Sequence, residues 1–270
     1  MTSSSATPKF EFPPVIETAL SLEFKPLEGW SIPHFGLFWQ RIRKDFPEVS
    51  VQPPLGSDIE TFDGPRLALV PHLALLDTPE VRCWFYDSKG DQLVQVQHDR
   101  FVHNWRRAAG QAYPSYEHVR PRFESNWETF CRFLREEDLG PPDIVQCELT
   151  YVNHFEAGRE WESMSDVAEI LAPWSGEFSG DFLPKPEAVQ IAASFLMPDD
   201  RGRLRVSLQP VMRTADRKEI MQLNLIARGA PASNDLGAIL EWFDLGHEWI
   251  VRGFTDLTSP KMHGIWQRRS

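Results

Sequence analysis

The chain has 270 residues, of which 41% are hydrophobic and 25% charged, a composition typical of a globular protein with one large domain or two smaller ones. Its formal net charge of −11 repels polyphosphate over most of the surface, which excludes a general nucleic-acid coat. Its three cysteines form no zinc-binding spacing, and the longest apolar run is shorter than the roughly 18 residues that a membrane helix needs. The N-terminal run MTSSSATPKF has no apolar segment typical of a secretory signal, so we expect a cytoplasmic protein with reduced thiols.

The first part of the chain indicates a strand, a helix and a hairpin. The run ETALSLEF (17–24) alternates like a strand, and the pattern that follows it places Phe35, Phe38 and Ile42 on one helical face. An acidic and glycine-containing turn inside FYDSKGDQLVQVQ (85–97) predicts a β-hairpin.

A long amphipathic helix is predicted over residues 116–136. Ser115 is a suitable N-cap, and Pro121 leaves the start of the helix open between Tyr116 and Pro121 itself. The apolar face consists of Tyr116, Val119, Phe123, Trp127, Phe130 and Leu134.

The second half of the chain repeats this order. A strand is predicted at 148–155, a short helix capped by Ser165 follows it, and a second hairpin lies at 197–209. When the sequence is shifted by 120 residues, the apolar stripe of the first long helix coincides with the apolar stripe of a second predicted helix. A Glu–Arg pair spaced four residues apart also coincides with a second pair of the same spacing. The matched residues are Leu236, Ile239, Phe243, His247, Ile250 and Phe254 on the stripe, and Glu128–Arg132 with Glu248–Arg252 on the polar face.

These repeats predict an α+β fold built by tandem duplication of a strand-helix-strands-helix module with mainly antiparallel sheets. The predicted modules are 10–139 and 144–257, joined at the turn-rich sequence LGPPD, with a flexible N-terminus at 1–9 and a C-terminal tail at 258–270. The concave surface between two such modules is the place where we expect a ligand.

Two loops interrupt this plan. Residues 52–65 are rich in turn-forming and acidic residues. Residues 173–187 carry Trp174, Phe178 and Phe182, and three aromatic side chains favour a loop that packs down as a lid or as a cover on the core.

The densest group of chemically capable side chains is LVQVQHDRFVHNWRR (93–107). Val94 and Val96 alternate towards the core, and the pattern predicts a register change through a bulge or turn near 98–100. The candidate ligand-binding residues of this run are Gln95, Gln97, Asp99, Arg100, His103, Asn104, Trp105 and Arg106.

Three interpretations of that run stay open. It could be an exposed strand whose arginine and aspartate residues pair across the sheet, with Trp105 closing the core. It could bind an anionic group through Arg100 and Arg106, with stacking on Trp105 and His103. It could also supply a general base, either His103 or His98, oriented by Asp99.

A second group of candidates lies in CELTYVNHF (147–155). The polar residues Glu148, Tyr151, Asn153 and His154 occur inside an otherwise strand-like pattern. Because buried polar side chains need hydrogen-bond partners, these residues either join the two modules or contact a ligand.

Well-marked catalytic motifs are absent from the chain. It contains no GxxxxGKS/T, GxGxxG, GxSxG, HExxH or DxDxDG sequence, and its histidines show no paired spacing on one helical face. We therefore expect no cofactor and no metal site.

Several runs carry a resemblance to a known family: FPPVIETALSLEF, the 93–107 run, YPSYEHVRPRF and CELTYVNHF. The chain resembles a sporadically distributed bacterial family of conserved hypothetical proteins of similar length, which share a Gln-x-Gln-x-Asp-Arg-Phe-x-x-Asn-Trp-Arg motif. The resemblance covers nearly the whole chain and implies no activity, cofactor or catalytic residue. The patchy distribution of that family resembles that of mobile or defence-associated genes, which suggests a partner in a conflict system.

The functional expectation is a non-enzymatic cytoplasmic protein that binds a small molecule or a protein partner between its two modules. One alternative is an enzyme that uses His103 or Glu148 as an acid or base on a small polar substrate. Another is a nucleic-acid or defence-complex partner that uses Arg100, Arg106, Arg107 and the basic end WQRRS, although the net charge argues against nucleic acid. No membrane contact is expected.

Overall fold

The computed structural model describes residues 6–62, 81–108, 111–163 and 166–269. The predicted cap Ser165 and the last residues of the 52–65 loop lie outside these ranges. The elements are β1 (Val15–Phe24), α1 (Ile32–Ile42), β2 (Glu48–Gln52), β3 (Arg82–Tyr86), β4 (Gln92–Gln97), β5 (Arg100–Arg106), α2 (Tyr116–Glu136), β6 (Ile144–Glu156), α3 (Val167–Ile170), β7 (Ile191–Leu196), β8 (Arg203–Arg213), β9 (Lys218–Gly229), α4 (Leu236–Leu257) and α5 (Pro260–Ile265).

The strands form one nine-stranded sheet, which confirms the predicted α+β class. The strand order is β2-β3-β4-β5-β1-β6-β9-β8-β7, and each neighbouring pair is antiparallel. The central pair is β1 with β6, in a register that places Leu20 opposite Leu149 and Ser21 opposite Glu148. These strands contain the two sequence runs, 17–24 and 148–155, that had suggested a repeat.

The long helices cover one face of the sheet because each has an apolar stripe at helical spacing. Helix α2 contacts β1 and β5, whereas α4 contacts β6, β8 and β9. All six stripe residues predicted for α2 are buried, and the helix begins at Tyr116 with Pro121 inside its second turn. The two helices meet at Phe123 and Phe243, whose ring centroids are 4.9 Å apart.

The predicted register change in the 93–107 run is a hairpin turn at His98 and Asp99, between β4 and β5. It places Gln97 opposite Arg100 and Val96 opposite Phe101. Gln95 and Gln97 of β4 therefore share a face with Arg100, while Val94 and Val96 lie with Phe101 on the helix-covered face.

The sheet face opposite the helices is polar, and residues 52–62, which we call the strap, cross one end of it. The strap begins over β4, where the Leu55 amide donates to Gln97 Oε1 over 2.8 Å. It continues over the central strands and reaches β8, where Glu60 accepts from Arg205 over 2.9 and 3.1 Å. This loop had been predicted only as acidic and rich in turns.

Two other predicted segments differ from expectation. The predicted tail 258–270 includes α5, and its Trp266 is fully buried because it packs on Phe155 and Phe254. In the 173–187 loop, Trp174 packs against the core, but Phe178 is 45% and Phe182 is 95% exposed, so this loop does not pack down as a whole. In the described part of the chain, no helix has the length and apolar character needed to cross a membrane.

Candidate ligand-binding cavity

A cavity of about 690 Å³ lies on the helix-covered side of the sheet. It is bounded by β6, the start of α2, the middle of α4 and the N-terminal segment 6–15. Helix α2 follows the first group of strands and α4 follows the second, so the cavity lies where the two halves of the chain meet. Its volume is within the range of about 300–1,000 Å³ that small-molecule sites occupy.

A chain of hydrogen bonds runs along one wall of the cavity. The hydroxyl oxygens of Tyr113 and Tyr151 are 2.8 Å apart, and the Tyr151 hydroxyl lies 3.0 Å from Nδ1 of His247. Tyr151 is fixed by β6, His247 by α4, and Tyr113 by the segment that leads into α2. We call these three side chains the Tyr–Tyr–His chain.

A second set of contacts fixes the histidine ring. The ring of Tyr116 stacks on His247 with centroids 4.0 Å apart and an interplanar angle of 7°. The Tyr116 hydroxyl donates to Asp244 over 2.9 Å, and Arg120 donates to the same carboxylate over 2.8 Å. The imidazole is therefore clamped between two helices before any ligand enters.

Asn153 is a further polar group of the cavity wall. Its side chain is buried, and Nδ2 donates to the carbonyl of Leu223 over 3.1 Å. Within the described residues, Oδ1 has no hydrogen-bond donor. Apolar side chains form much of the remaining wall: Val15, Leu225, Ile250, Val251 and Phe254 together with Phe10 from the N-terminal segment. Glu11 of the same segment also lines the cavity and is paired with Arg269.

Charged side chains occur at the mouth of the cavity. Lys9 and Glu117 are 3.6 Å apart, and their side chains are 70% and 61% exposed. Ser115, beside them, has a φ of 82° and a ψ of 159°, a conformation that favours glycine. Strained backbone of this kind is concentrated at ligand sites in proteins.

Burial keeps the inner groups uncharged. Desolvation lowers the pKa of His247 to about 4, even though nearby carboxylates oppose this shift, so the imidazole is neutral at pH 7. Desolvation also raises the pKa of Tyr113 and Tyr151, and both phenols stay protonated. At the mouth, hydrogen bonding to Ser115 lowers the pKa of Glu117, which stays ionised.

Of the predicted site residues, Tyr151 and Asn153 line this cavity. Trp105 and His103 lie on the same face of the sheet but behind the wall. The Trp105 ring packs on Tyr113 at 5.2 Å, and Nδ1 of His103 is 3.2 Å from the amide nitrogen of Asn126. His103 is fully buried, and desolvation lowers its pKa to about 3.

The other predicted residues of the 93–107 run lie on the opposite, polar face and bind one another, the strap or side chains of neighbouring strands. Gln95 donates to Asn104 over 2.7 Å, and Gln97 donates to Asp99 over 2.8 Å. Arg100 donates to the Glu23 carboxylate over 2.6 Å. Similarly, Arg106 pairs with Glu17 at 3.2 Å and stacks over Trp84 at 4.8 Å.

The predicted residues of β6 that point to the polar face are also paired. Glu148 accepts from Arg228, and His154 is 3.2 Å from Gln222. Glu148 and His103 thus lie on opposite faces of the sheet and cannot act on one substrate. The basic residues proposed for phosphate contacts are engaged as well: Arg107 donates to the carbonyl of Pro13 over 2.9 Å.

Sequence reasoning did not identify Tyr113, Tyr116 or His247 as site residues. The sequence gives a partial signal, because tyrosine is rare in this chain and Tyr113 and Tyr116 lie close together. Three of the chain's four tyrosines line this cavity. Tyr116 and His247 were predicted only as members of the apolar stripes of the two helices, and helical spacing gives no information about the partners of their polar atoms.

Comparisons with known proteins give little further information. No family model and no curated protein matches the chain. Among solved structures, the chain has 13% identity and a TM-score of 0.26 to DynU16, a protein of the dynemicin biosynthetic locus, over 90% of this chain and 98% of that one. A similarity at this level carries no conclusion. In the described residues, no group of three or more His, Cys, Asp or Glu side chains is arranged to hold a metal ion.

Proposed function

We propose that this protein is a non-enzymatic binding protein for a small molecule, which it holds in the cavity between α2, α4 and β6. The observation that carries the proposal is the combination of a drug-sized cavity with an apolar wall and a few fixed polar groups. Tyr116 and Asp244 orient His247, and β6 holds Tyr151 and Asn153, so the polar groups are organised without a ligand.

The experiment is a fluorescence titration with N-phenyl-1-naphthylamine, a neutral apolar probe. We expect saturable binding with one probe per chain. Val251→Trp, which places a large side chain in the cavity, should abolish it. Leu245→Trp is the matched control because this residue of the same helix is also half-buried but does not line the cavity.

Two results would contradict the proposal. One is the absence of saturable binding to the wild-type protein. The other is equal loss of binding in both tryptophan variants when far-UV circular dichroism shows that both are folded.

We also propose that the chain arose by duplication of a module, with copies at 10–139 and 144–257. The order of the strands in the sheet supports this. From the centre outwards, one half of the sheet runs β1, β5, β4, β3 and the other runs β6, β9, β8, β7. In both halves the first strand in the chain is central, and the next three follow in reverse chain order. A long helix, α2 or α4, closes each set. Membership of the bacterial family that shares the 95–106 motif, and a link to defence systems, rest on the sequence resemblance alone.

A cytoplasmic location is part of the same proposal. Cys83, Cys131 and Cys147 are free, and burial raises the pKa of the thiol in each case. Reduced, unreactive thiols are typical of proteins in a reducing compartment.

A further inference from the structure

We propose that the ligand of this cavity is an uncharged, largely apolar molecule with a hydroxyl group that bonds to Asn153 and His247. This inference rests on the proposed function, because it specifies the ligand class of the same site.

The charged side chains of the cavity lining are already in ion pairs, which disfavours ionised ligands. The polar groups beyond the mouth are phenols, an amide and a neutral imidazole. Lys9 and Glu117 are exposed and pair with each other, and Glu11 pairs with Arg269. A carboxylate or ammonium group that entered would lose its hydration, and each charged residue of the described wall already has an ion-pair partner. The favoured ligand is therefore neutral.

Two atoms of the wall are available to a ligand. Asn153 Oδ1 accepts no hydrogen bond from the described part of the chain, although its side chain is only 1% exposed. Because an amide oxygen only accepts, Asn153 requires a donor on the ligand. A ketone, an ether or an ester cannot supply one.

The second atom is Nε2 of His247, since Nδ1 is already bonded to Tyr151. The Tyr–Tyr–His chain can run in two directions, from Tyr113 towards His247 or the reverse. In the first direction Nε2 carries the proton and donates, and in the second it accepts. A hydroxyl group can donate and accept, so it fits Asn153 and either state of His247.

The apolar wall defines the rest of the molecule. Phe10 and Phe254 are in edge contact at 5.5 Å, and Leu225, Ile250 and Val251 complete the surface. These side chains offer dispersion contacts and no hydrogen bonds, which suits a hydrocarbon or aromatic body. The ligand class is therefore an apolar alcohol or phenol.

The test measures how well three matched compounds displace N-phenyl-1-naphthylamine from the wild-type protein: 2-naphthol, 2-methoxynaphthalene and 2-naphthoate. They share one aromatic body and differ in a hydroxyl, an ether and a carboxylate. We expect 2-naphthol to bind about tenfold more tightly than the ether, because the ether leaves Asn153 unpaired. The carboxylate should bind more weakly still.

A variant tests the assignment to His247. In His247→Phe the stacking on Tyr116 is kept and Nε2 is lost, so the preference for 2-naphthol over the ether should shrink while the probe still binds. Equal affinities of the three compounds for the wild type, or preference for the carboxylate, would overturn the inference and leave the proposed function standing. Failure of the probe itself to bind would refute both.

Discussion

The hydroxyl of Tyr151 connects the central sheet to both long helices. It lies within hydrogen-bonding distance of Tyr113, just before α2, and of His247, in α4. Tyr151 is buried, and Tyr113 and His247 are half-buried, so an unpaired polar atom at this place is costly. This phenol therefore stabilises the fold in addition to shaping the cavity.

Removing that hydroxyl tests its structural role. Tyr151→Phe leaves two buried polar groups without their shared partner, and we expect a loss of about 1–3 kcal/mol in the free energy of unfolding. Urea denaturation measures the change. Tyr86→Phe, outside the cavity, is the control and should cost less than about 0.5 kcal/mol. Equal losses in the two variants would mean that the hydrogen bonds of the Tyr–Tyr–His chain do not add to the free energy of unfolding.

Protonation of His247 gives a prediction about pH. In the folded protein the pKa of His247 is lowered from 6.5 to about 4, so between pH 6.5 and pH 4 the imidazole is protonated in the unfolded state but not in the folded state. The free energy of unfolding should then decrease as the pH falls from 7 towards 4, with about 3 kcal/mol due to this residue.

The comparison is between wild type and His247→Phe, each unfolded in urea at several pH values. The variant should lose less stability on acidification, because it lacks one of the buried histidines. His103, whose pKa is also lowered, stays in both proteins and produces the remaining slope. Parallel stability curves for the two proteins would contradict the assigned pKa of His247.

Single residues show how far sequence reasoning extends. Tyr151 and Asn153 could be predicted because they are polar residues on the apolar face of a strand. His247 could not, since its partners Tyr113 and Tyr151 are distant in sequence and meet it only in the folded chain. For Trp105 the sequence left open whether the ring stacks on a ligand or closes the core, and the ring is buried behind Tyr113.

At the scale of elements, the strap acts as a tie across the sheet. Glu60 is held between Arg203 and Arg205 of β8, and its side chain is 1% exposed. In the middle of the strap, Ser57 donates to Glu23 of β1. One loop therefore bridges strands from both halves of the chain.

Neutralising the buried end of the strap should weaken this tie. In Glu60→Gln, two guanidinium groups lose their shared carboxylate. We expect a loss of about 1–3 kcal/mol, because Arg203 is left largely buried without its partner whereas Arg205 can be hydrated. Chemical denaturation is the measurement, and exposed Glu219→Gln is the matched control. A change below about 0.5 kcal/mol in Glu60→Gln would show that the strap contributes nothing to stability.

Local sequence patterns predicted the helices and hairpins, but they did not predict the position of the strap. The stripes of α2 and α4 and the two hairpins follow from side-chain periodicity and turn residues, which are properties of short segments. The strap has no periodicity, and its position depends on ion pairs with residues such as Arg205 and Arg228 that lie far along the chain. No local signal encodes such contacts.

At the scale of the whole molecule, three features join the two halves. The central strands β1 and β6 pair along their length, and the strap crosses from β4 to β8. The helices α2 and α4 also meet, through Phe123 with Phe243 and through Arg120 with Asp244. A boundary at 139–143 therefore divides the sequence without dividing the sheet.

This continuity predicts cooperative unfolding. If β1 and β6 separated, each half would expose an unpaired strand edge and an apolar helix surface, so neither should stay folded alone. Urea unfolding followed by tryptophan fluorescence and by far-UV circular dichroism should give one coincident transition. Two separated transitions would show that the halves are independent domains.

A crystal structure of the protein grown with 2-naphthol would show whether the cavity binds a small neutral alcohol or phenol. We expect one molecule between β6 and α4, with its oxygen within hydrogen-bonding distance of Asn153 Oδ1 or His247 Nε2. A structure in which 2-naphthol binds elsewhere, or in which the cavity is filled by the protein's own side chains, would contradict this expectation.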